Sequence, residues 1–574
     1  MHCGAVRRLP RILDSKENPV SVPLGTWPAI HALRIPDRPA LVDGDTGRVL
    51  TYAELEARTT RLAAALRNRG VGPGDRVAVL SLNCPEMLKL VFAVAKLGAI
   101  TVMLNFRLTA PEIAFILKDS GASLLFATTS LEGAARTAAE DSEIREVVTL
   151  ATAQERRDGI RAGFDALLDS RGEAAGPSAA GADPAPAEQT LTTAGPTAPD
   201  LPEVDPESPA VLMYTSGTTG RPKGAILTHS NLFWVSLYHN SIERGLNRLD
   251  VNLAVAPLFH IGALAVYTLP GAYWGACTVV LESFDPETWA AAVERHRVTK
   301  AFAVPVMWGA VLQSGATDRH DVSSLDVAVS GGAPCPLPVI EGLLAKGVAF
   351  TEGFGLTETA AAASMLPSEF VRSHAGSVGR PLPHVEFRVV DAGGAQVPVG
   401  EVGELLVRGP SVSPGYWNRP DANAEAFRDG WFHTGDLARV DADGLYHLVD
   451  RKKDMVITGG ENVYPIEVEQ VLYGHPAVAE VAVIGAPDAQ WGEAVTAVVV
   501  RAEAAPSAVA DEAGTAEDEA LAAELTAFAR ERLAGFKVPK RFVFADALPR
   551  TATGKVRKVE LRSAVGGQES MVSR

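Results

Sequence analysis

The sequence predicts an α/β protein of more than one domain. Three observations carry that reading. Helical and strand-like segments alternate near the N-terminus, the chain has 574 residues, and its 47% hydrophobic against 21% charged residues allow a sizeable core. The alternation is clearest from Thr51 onward. "TYAELEARTTRLAAALRNRG" sets Leu55, Leu62, Ala65 and Leu66 on one helical face, with Gly70 as its stop. "DRVAVLSLN" reads as a buried strand, "PEMLKLVFAVAKLGA" as a helix ending near Gly98, and "ITVMLN" as the next strand.

Two stretches break the pattern. Residues 174–206 are rich in Ala, Pro and Gly and poor in large apolar side chains, and a flexible surface excursion is expected there. Residues 502–520 read as a polar insertion. Between Leu253 and Leu281 there is no Asp, Glu, Lys or Arg, a run long enough to cross a bilayer. Pro257, Gly262, Pro270, Gly271 and Gly275 interrupt it, and proline costs about 3 kcal/mol inside a helix. Several shorter buried elements are therefore expected, with no integral membrane segment. The N-terminal "MHCGAVRRLPRILDSKENP" lacks the apolar core of a secretory signal.

A formal net charge of -16 disfavours nucleic acid as a partner. Cys3, Cys84, Cys277 and Cys335 are far apart and form no CxxC pair, which argues against a zinc site or a disulfide framework. The reducing cytoplasm suits them and is the expected location.

The segment with chemical character is "YTSGTTGRPKG", Tyr214 to Gly224. It follows a short strand at Ala210–Tyr214 and precedes a helix expected from Leu232, with Ser230 as its cap. Thr215, Ser216, Thr218 and Thr219 offer hydroxyls, Gly217 and Gly220 allow close backbone approach, and Lys223 brings charge. These suit an anionic polyphosphate, although a plain glycine-rich turn has the same composition. A Walker loop is excluded, because Lys223 precedes Gly224 and no Ser or Thr follows in the required place.

The stretch resembles the phosphate loop of the adenylate-forming superfamily, which holds acyl-CoA synthetases, aryl-CoA ligases, luciferases and adenylation domains. Further signatures follow in that family's order: "SGGAP" from Ser330, "EGFGLTET" from Glu352, "GWFHTGDLA" with Asp436, "DRKKDMVITGGENVYPIEVE" with Arg451, and "PRTATGKVRK" with Lys555. Each alone has an ordinary structural reading; the ordered set over about residues 25–565 carries the resemblance. It implies a large multi-sheet N-terminal domain at 22–452, a small mobile α+β C-terminal domain at 453–565, and a tail at 566–574.

The same resemblance implies residue roles. Phe354, where most relatives have Tyr, stacks on adenine between Gly353 and Gly355, and Gly332, Ala333 and Pro334 line that pocket. Asp436 accepts the ribose hydroxyls, with Arg451 in support. Thr357 contacts the α-phosphate, Glu358 and Thr215 hold Mg2+, and Lys555 bridges carboxylate and α-phosphate during attack. Lys453 matches the hinge about which the small domain swings. Gly459 and Gly460 leave room for a narrow thiol channel, while Trp491, Phe536 and Lys540 match a CoA nucleotide surface.

"PLFHIGAL" matches the acyl side, giving His260, Ile261, Gly262 and Leu264 as pocket residues together with Gly331. His260 stands where amino-acid-activating relatives place an Asp, which disfavours α-amino acids. Gly262 is small where several aryl ligases are bulkier, so a deep pocket for a fatty or extended aryl acid is expected. The implied reaction consumes ATP, a carboxylic acid and CoA and yields acyl-CoA, AMP and pyrophosphate. An adenylating enzyme that serves a carrier protein or another nucleophile is the alternative acceptor reading. A catalytically silent nucleotide-binding protein is opposed by the presence of Lys555, Glu358 and Asp436. The family commonly forms dimers, and nothing in the sequence marks an interface.

Overall fold

Two sheets grow from the predicted alternation. In the computed structural model they are described, with the rest of the fold, over residues 22–169, 201–215, 222–451, 454–459, 461–488, 490–502, 513–550 and 556–572. The smaller of the two places Glu146–Leu150, Leu124–Thr128, Arg76–Leu80, Ile100–Leu104 and Pro209–Thr215 side by side in parallel, closed by the antiparallel strand Lys223–Thr228. The larger has fourteen strands among the described residues. Six of them, Pro39–Asp43, Cys277–Val280, Val251–Ala254, Lys300–Ala303, Val327–Gly331 and Ala349–Phe354, run parallel as a continuous block in one half of it.

The helices that link these strands are set by their termini. Tyr52–Asn68 begins at a reciprocal capping box of Thr51 and Glu54. Pro85–Lys96 starts with proline at its first position and is buried on every side. One core joins the sheets: Val77, Val79 and Phe126 of one pack with Leu41, Val279, Ala301 and Val329 of the other. The outer face of the smaller sheet, including Leu80, Val102 and Leu125, is covered by Ile113, Ile116, Leu117 and Ala135.

A third sheet, of five strands among the described residues, lies between Val456 and Phe544. Leu525 and Ala529 of the helix Ala513–Arg530 pack on one face, and Leu561 and Val565 of Lys558–Val572 on the other. Two of the segments set apart in the sequence are partly helical. Residues 513–520 of the supposed polar insertion open a long helix, because Leu525 and Ala529 further along it bury against the sheet. Most of the supposed tail, 566–572, continues a helix that Leu561 and Val565 anchor.

The end of the first excursion is also docked: Leu201 packs on the core, and Pro206 accepts the Ser230 N–H at 2.7 Å. Residues 174–200 and 503–512 lie outside the described residues, as do 452 and 453, where the domain boundary was placed. The uncharged stretch resolves as expected into short elements, strand Val251–Ala254, helical turns from Ile261 to Trp274, and strand Cys277–Val280. Pro270 is tolerated because a π segment, Leu264–Thr268, ends just before it and a new α-helical turn begins. Among the described residues no helix is long and apolar enough to cross a membrane.

Candidate active site

The glycine-rich loop connects two strands, which corrects the strand-to-helix placement. Pro209–Thr215 and Lys223–Thr228 form a hairpin with Thr215 opposite Lys223 and Tyr214 opposite Gly224. A Cβ at Gly224 would lie 2.9 Å from the Tyr214 ring, so glycine is what lets that ring cross the hairpin. The Tyr214 hydroxyl is anchored on Asp119 at 2.7 Å. The following helix starts at His229, and its cap is Thr228 paired with Asn231 rather than Ser230. Ser216, Gly217, Thr218, Thr219 and Gly220 lie outside the described residues.

The "EGFGLTET" segment ends a central parallel strand at Phe354 and turns sharply. At Gly355 a Cβ would sit 1.8 Å from the Ala361 carbonyl oxygen, so the chain closes on itself there. Ala360 and Ala361 take φ of 54° and 93°, strained values for residues with a side chain. The turn delivers Thr357 half-buried and Glu358 buried at the carboxyl ends of the strands, where open α/β sheets bind ligands.

Tyr416 ties the turn to the hairpin, a role that no sequence motif marked. Its hydroxyl donates to Glu358 Oε1 at 2.7 Å, and its ring lies 5.2 Å from Lys223 Nζ. The backbone around it pairs with the hairpin, through Ile226 N–H to Gly415 and Trp417 N–H to Gly224. Burial and the neighbouring Glu358 carboxylate both raise the phenol's pKa, so it stays a donor.

Asp436 is buried and stands directly opposite Arg451 on paired strands. Arg451 Nε meets Asp436 Oδ1 at 2.5 Å, so the arginine acts on the carboxylate itself. The next residue back, Asp450, turns to the small sheet's side and accepts the Ile466 N–H at 3.1 Å. Burial pushes its pKa up to about 6. Phe354 is buried edge-on against Phe387, at 6.2 Å. Gly332, Ala333 and Pro334 form an exposed loop at the end of the neighbouring strand, with Gly332 at φ 86°.

Two residues before Phe354, Glu352 is 6% exposed and also went unmarked in the sequence. Its Oε1 accepts the Cys335 N–H at 2.8 Å, and its Oε2 has no hydrogen-bond partner among the described residues. Burial raises its pKa to about 7 from an ordinary 4.5. A raised carboxyl favours the fold while protonated, so this contribution is full below about pH 4.5 and is lost as pH rises through 7. Glu352→Gln is expected to match the wild type at pH 5 and to exceed its thermal stability at pH 8, by about 3 kcal/mol at most. Parallel melting profiles of the two proteins across that range would refute the assignment.

On the acyl side, His260 precedes the helical turn Ile261–Ala263, half-buried, with its ring 4.2 Å from Phe259. Ile261 and Leu264 are part of the central core. A Cβ on Gly262 would lie 2.7 Å from the Phe302 ring, and one on Gly331 would lie 3.3 Å from it. The glycines thus leave no deep void of their own, because Phe302, missed in the sequence, sits against both. In the small sheet, Gly459 takes φ 59°, and a Cβ there would meet the Trp491 indole at 2.9 Å. Packing under that indole is one requirement for glycine here. Lys540 Nζ lies 5.3 Å over the same indole, and Trp491 and Phe536 are exposed. Lys453, Gly460 and Lys555 lie outside the described residues.

The sequence model of the AMP-binding enzyme family matches residues 29–417, and that of the AMP-binding enzyme C-terminal domain matches 467–555. The chain belongs to the AMP-binding enzyme family. The adenylate-forming fold expected from the motifs, a large multi-sheet α/β part followed by a smaller one, is the fold of this AMP-binding enzyme.

The chain is 43% identical to a feruloyl-CoA synthase of an Amycolatopsis species over 543 residues, covering 95% of this chain and 99% of that one. It is 36% identical to the indoleacetate–CoA ligase of Aromatoleum aromaticum, with 95% and 97% covered. Among solved structures, it is similar to O-succinylbenzoate coenzyme A synthetase from Bacillus subtilis in complex with ATP and magnesium ion. That match has a TM-score of 0.75 and 31% identity, and covers 95% and 99% of the two chains.

Proposed function

We propose that this AMP-binding enzyme activates an aromatic carboxylic acid with ATP and transfers the acyl group to CoA, releasing AMP and pyrophosphate. The observation that carries the choice of acid is Phe302. Its ring closes the space beside Gly262 and Gly331, and a flat ring fits against it more readily than a long chain. The feruloyl-CoA and indoleacetate relatives, both acting on aryl acids, support the same choice.

The chemistry divides into two displacements. A carboxylate oxygen of the acid attacks the α-phosphorus of ATP, the bond from that phosphorus to the bridging oxygen breaks, and pyrophosphate leaves. The CoA thiolate then attacks the acyl carbonyl, and AMP departs with the former carboxylate oxygen. Asp436, held by Arg451, accepts from the ribose hydroxyls; Phe354 and the Gly332–Pro334 loop hold adenine; Thr357 donates to the α-phosphate. Lys223, steadied over Tyr416, faces the phosphates with the loop that precedes it. Lys555 stabilises the negative charge that grows on the α-phosphate.

The donors present fit Mg2+: Thr215 supplies a hydroxyl, and Glu358 has one oxygen engaged by Tyr416, with no hydrogen bond to the other among the described residues. Hard oxygen donors in so small a number suit magnesium that shares its shell with substrate phosphates. Held by Thr215 and Glu358, such an ion would supply positive charge to offset that of the departing pyrophosphate. Exposed Trp491 with Lys540 offers a surface to the CoA nucleotide. The cytoplasm, where ATP and reduced CoA are available, is the proposed location.

Pyrophosphate release measured across a panel of acids, with mass spectrometry of the products, tests the reading. Hydroxycinnamic and other aryl acids are expected to exceed C8–C18 chains in kcat/KM by about tenfold or more, with acyl-CoA as product. The reverse order removes the aromatic assignment, and acyl-AMP without thioester removes CoA as acceptor. Lys555→Ala is expected to stop adenylate formation; an undiminished rate would strip the lysine of its role.

A further inference from the structure

A cavity of about 440 Å3 opens where the strand Pro39–Asp43 and Ala151, just past the strand Glu146–Leu150, meet the helices Tyr52–Asn68, Pro85–Lys96 and Gly163–Asp169. None of its lining residues belongs to the nucleotide, acyl or thiol motifs. Six cationic side chains line it against four carboxylates. Three of the six are matched: Lys89 by Glu86 at 2.7 Å, Arg156 by Asp43 at 2.8 Å, and Arg161 by Asp169. The other three, Arg48, Arg58 and Arg61, form no ion pair or side-chain hydrogen bond among the described residues.

Like charges brought together cost stability. Arg58 is half-buried, and burial together with Arg48 and Arg61 lowers its pKa, against the opposing pull of Glu54 and Glu86. The opposite wall is apolar, made by Leu41, Leu50, Phe164 and Leu168. A fold that gathers three unmatched guanidinium groups beside an apolar wall has the make-up of a site for an anion with a carbon skeleton. A monocarboxylate would occupy one guanidinium fork and leave the others unmatched, whereas a doubly charged phosphate offers acceptors to all three.

We propose that this cavity is a second ligand site, which takes a small organic phosphate with its phosphate against Arg48, Arg58 and Arg61 and its skeleton against Phe164 and the leucines. The site is independent of the reaction assigned above and stands or falls separately.

Phenyl phosphate, titrated calorimetrically into the full-length enzyme, is the test. It is expected to bind the wild type and to bind the Arg58→Gln/Arg61→Gln variant about tenfold or more weakly, while KM for ATP stays unchanged. Inorganic phosphate is expected to bind the wild type about fivefold more weakly than phenyl phosphate, for want of a skeleton. Should the double variant fail to fold, Arg48→Gln, at an exposed position, is expected to show the same direction of change. Absence of phenyl phosphate binding, or equal affinity in wild type and variants, overturns the proposal. Equal affinity for inorganic and phenyl phosphate overturns its organic part.

Discussion

Glu358→Gln is expected to slow pyrophosphate release about 100-fold or more while leaving the melting temperature nearly unchanged. The carboxylate is buried in the turn that follows a central strand, and its surroundings hold it aimed. Tyr416 donates to Oε1 at 2.7 Å, and the Glu358 carbonyl is fixed by the Ser413 N–H at 2.8 Å. Glutamine keeps the shape and can still accept from Tyr416, so folding survives. What it loses is the negative charge on which the proposed magnesium would rest. The two effects are separated by measuring rate at rising magnesium alongside a thermal melt. A rate within about threefold of the wild type at every magnesium concentration would show that Glu358 is structural only.

The second large effect is steric. Gly355→Ala is expected to destabilise the protein by about 3 kcal/mol and to abolish adenylation even where the fold persists. The added Cβ would fall 1.8 Å from the Ala361 oxygen and 2.4 Å from its carbonyl carbon. These are backbone atoms of a turn that already holds Ala360 and Ala361 at positive φ, so neither partner can yield cheaply. Because the turn sets Thr357 and Glu358, any relief moves the residues assigned to the phosphates. A melt and a pyrophosphate assay suffice; a variant with wild-type values in both would mean that the turn is far looser than its contacts.

These two cases show what was legible in the sequence. Glu358 and Gly355 sit in a run of residues whose order is itself informative, and so do Asp436, Arg451 and the hairpin loop. Tyr416, Phe302 and Glu352 acquire meaning only through neighbours far along the chain. Tyr416 meets Glu358 across 58 positions, and Phe302 meets Gly262 and Gly331 from an adjacent strand. The hairpin was misread because six residues, Lys223–Thr228, are short enough to pass for a connection to the next helix. Their strand character comes from pairing with Pro209–Thr215, not from their own pattern. The helix at Ala513–Arg530 was missed because its polar face dominates the composition, and only residues such as Leu525 and Ala529 betray a buried side.

The strand Tyr446–Arg451 carries Arg451 onto Asp436, the carboxylate proposed for the ribose, and Asp450 toward the helix Pro465–Tyr473. Successive side chains on a strand face opposite ways, so a single extended segment is read on both flanks at once. Thermodynamic reciprocity then applies. If occupancy of the sugar side biases the posture of the C-terminal lobe, that posture must bias occupancy by an equal factor. A lobe immobilised by cross-linking should alter affinity for AMP as strongly as AMP alters the lobe's freedom.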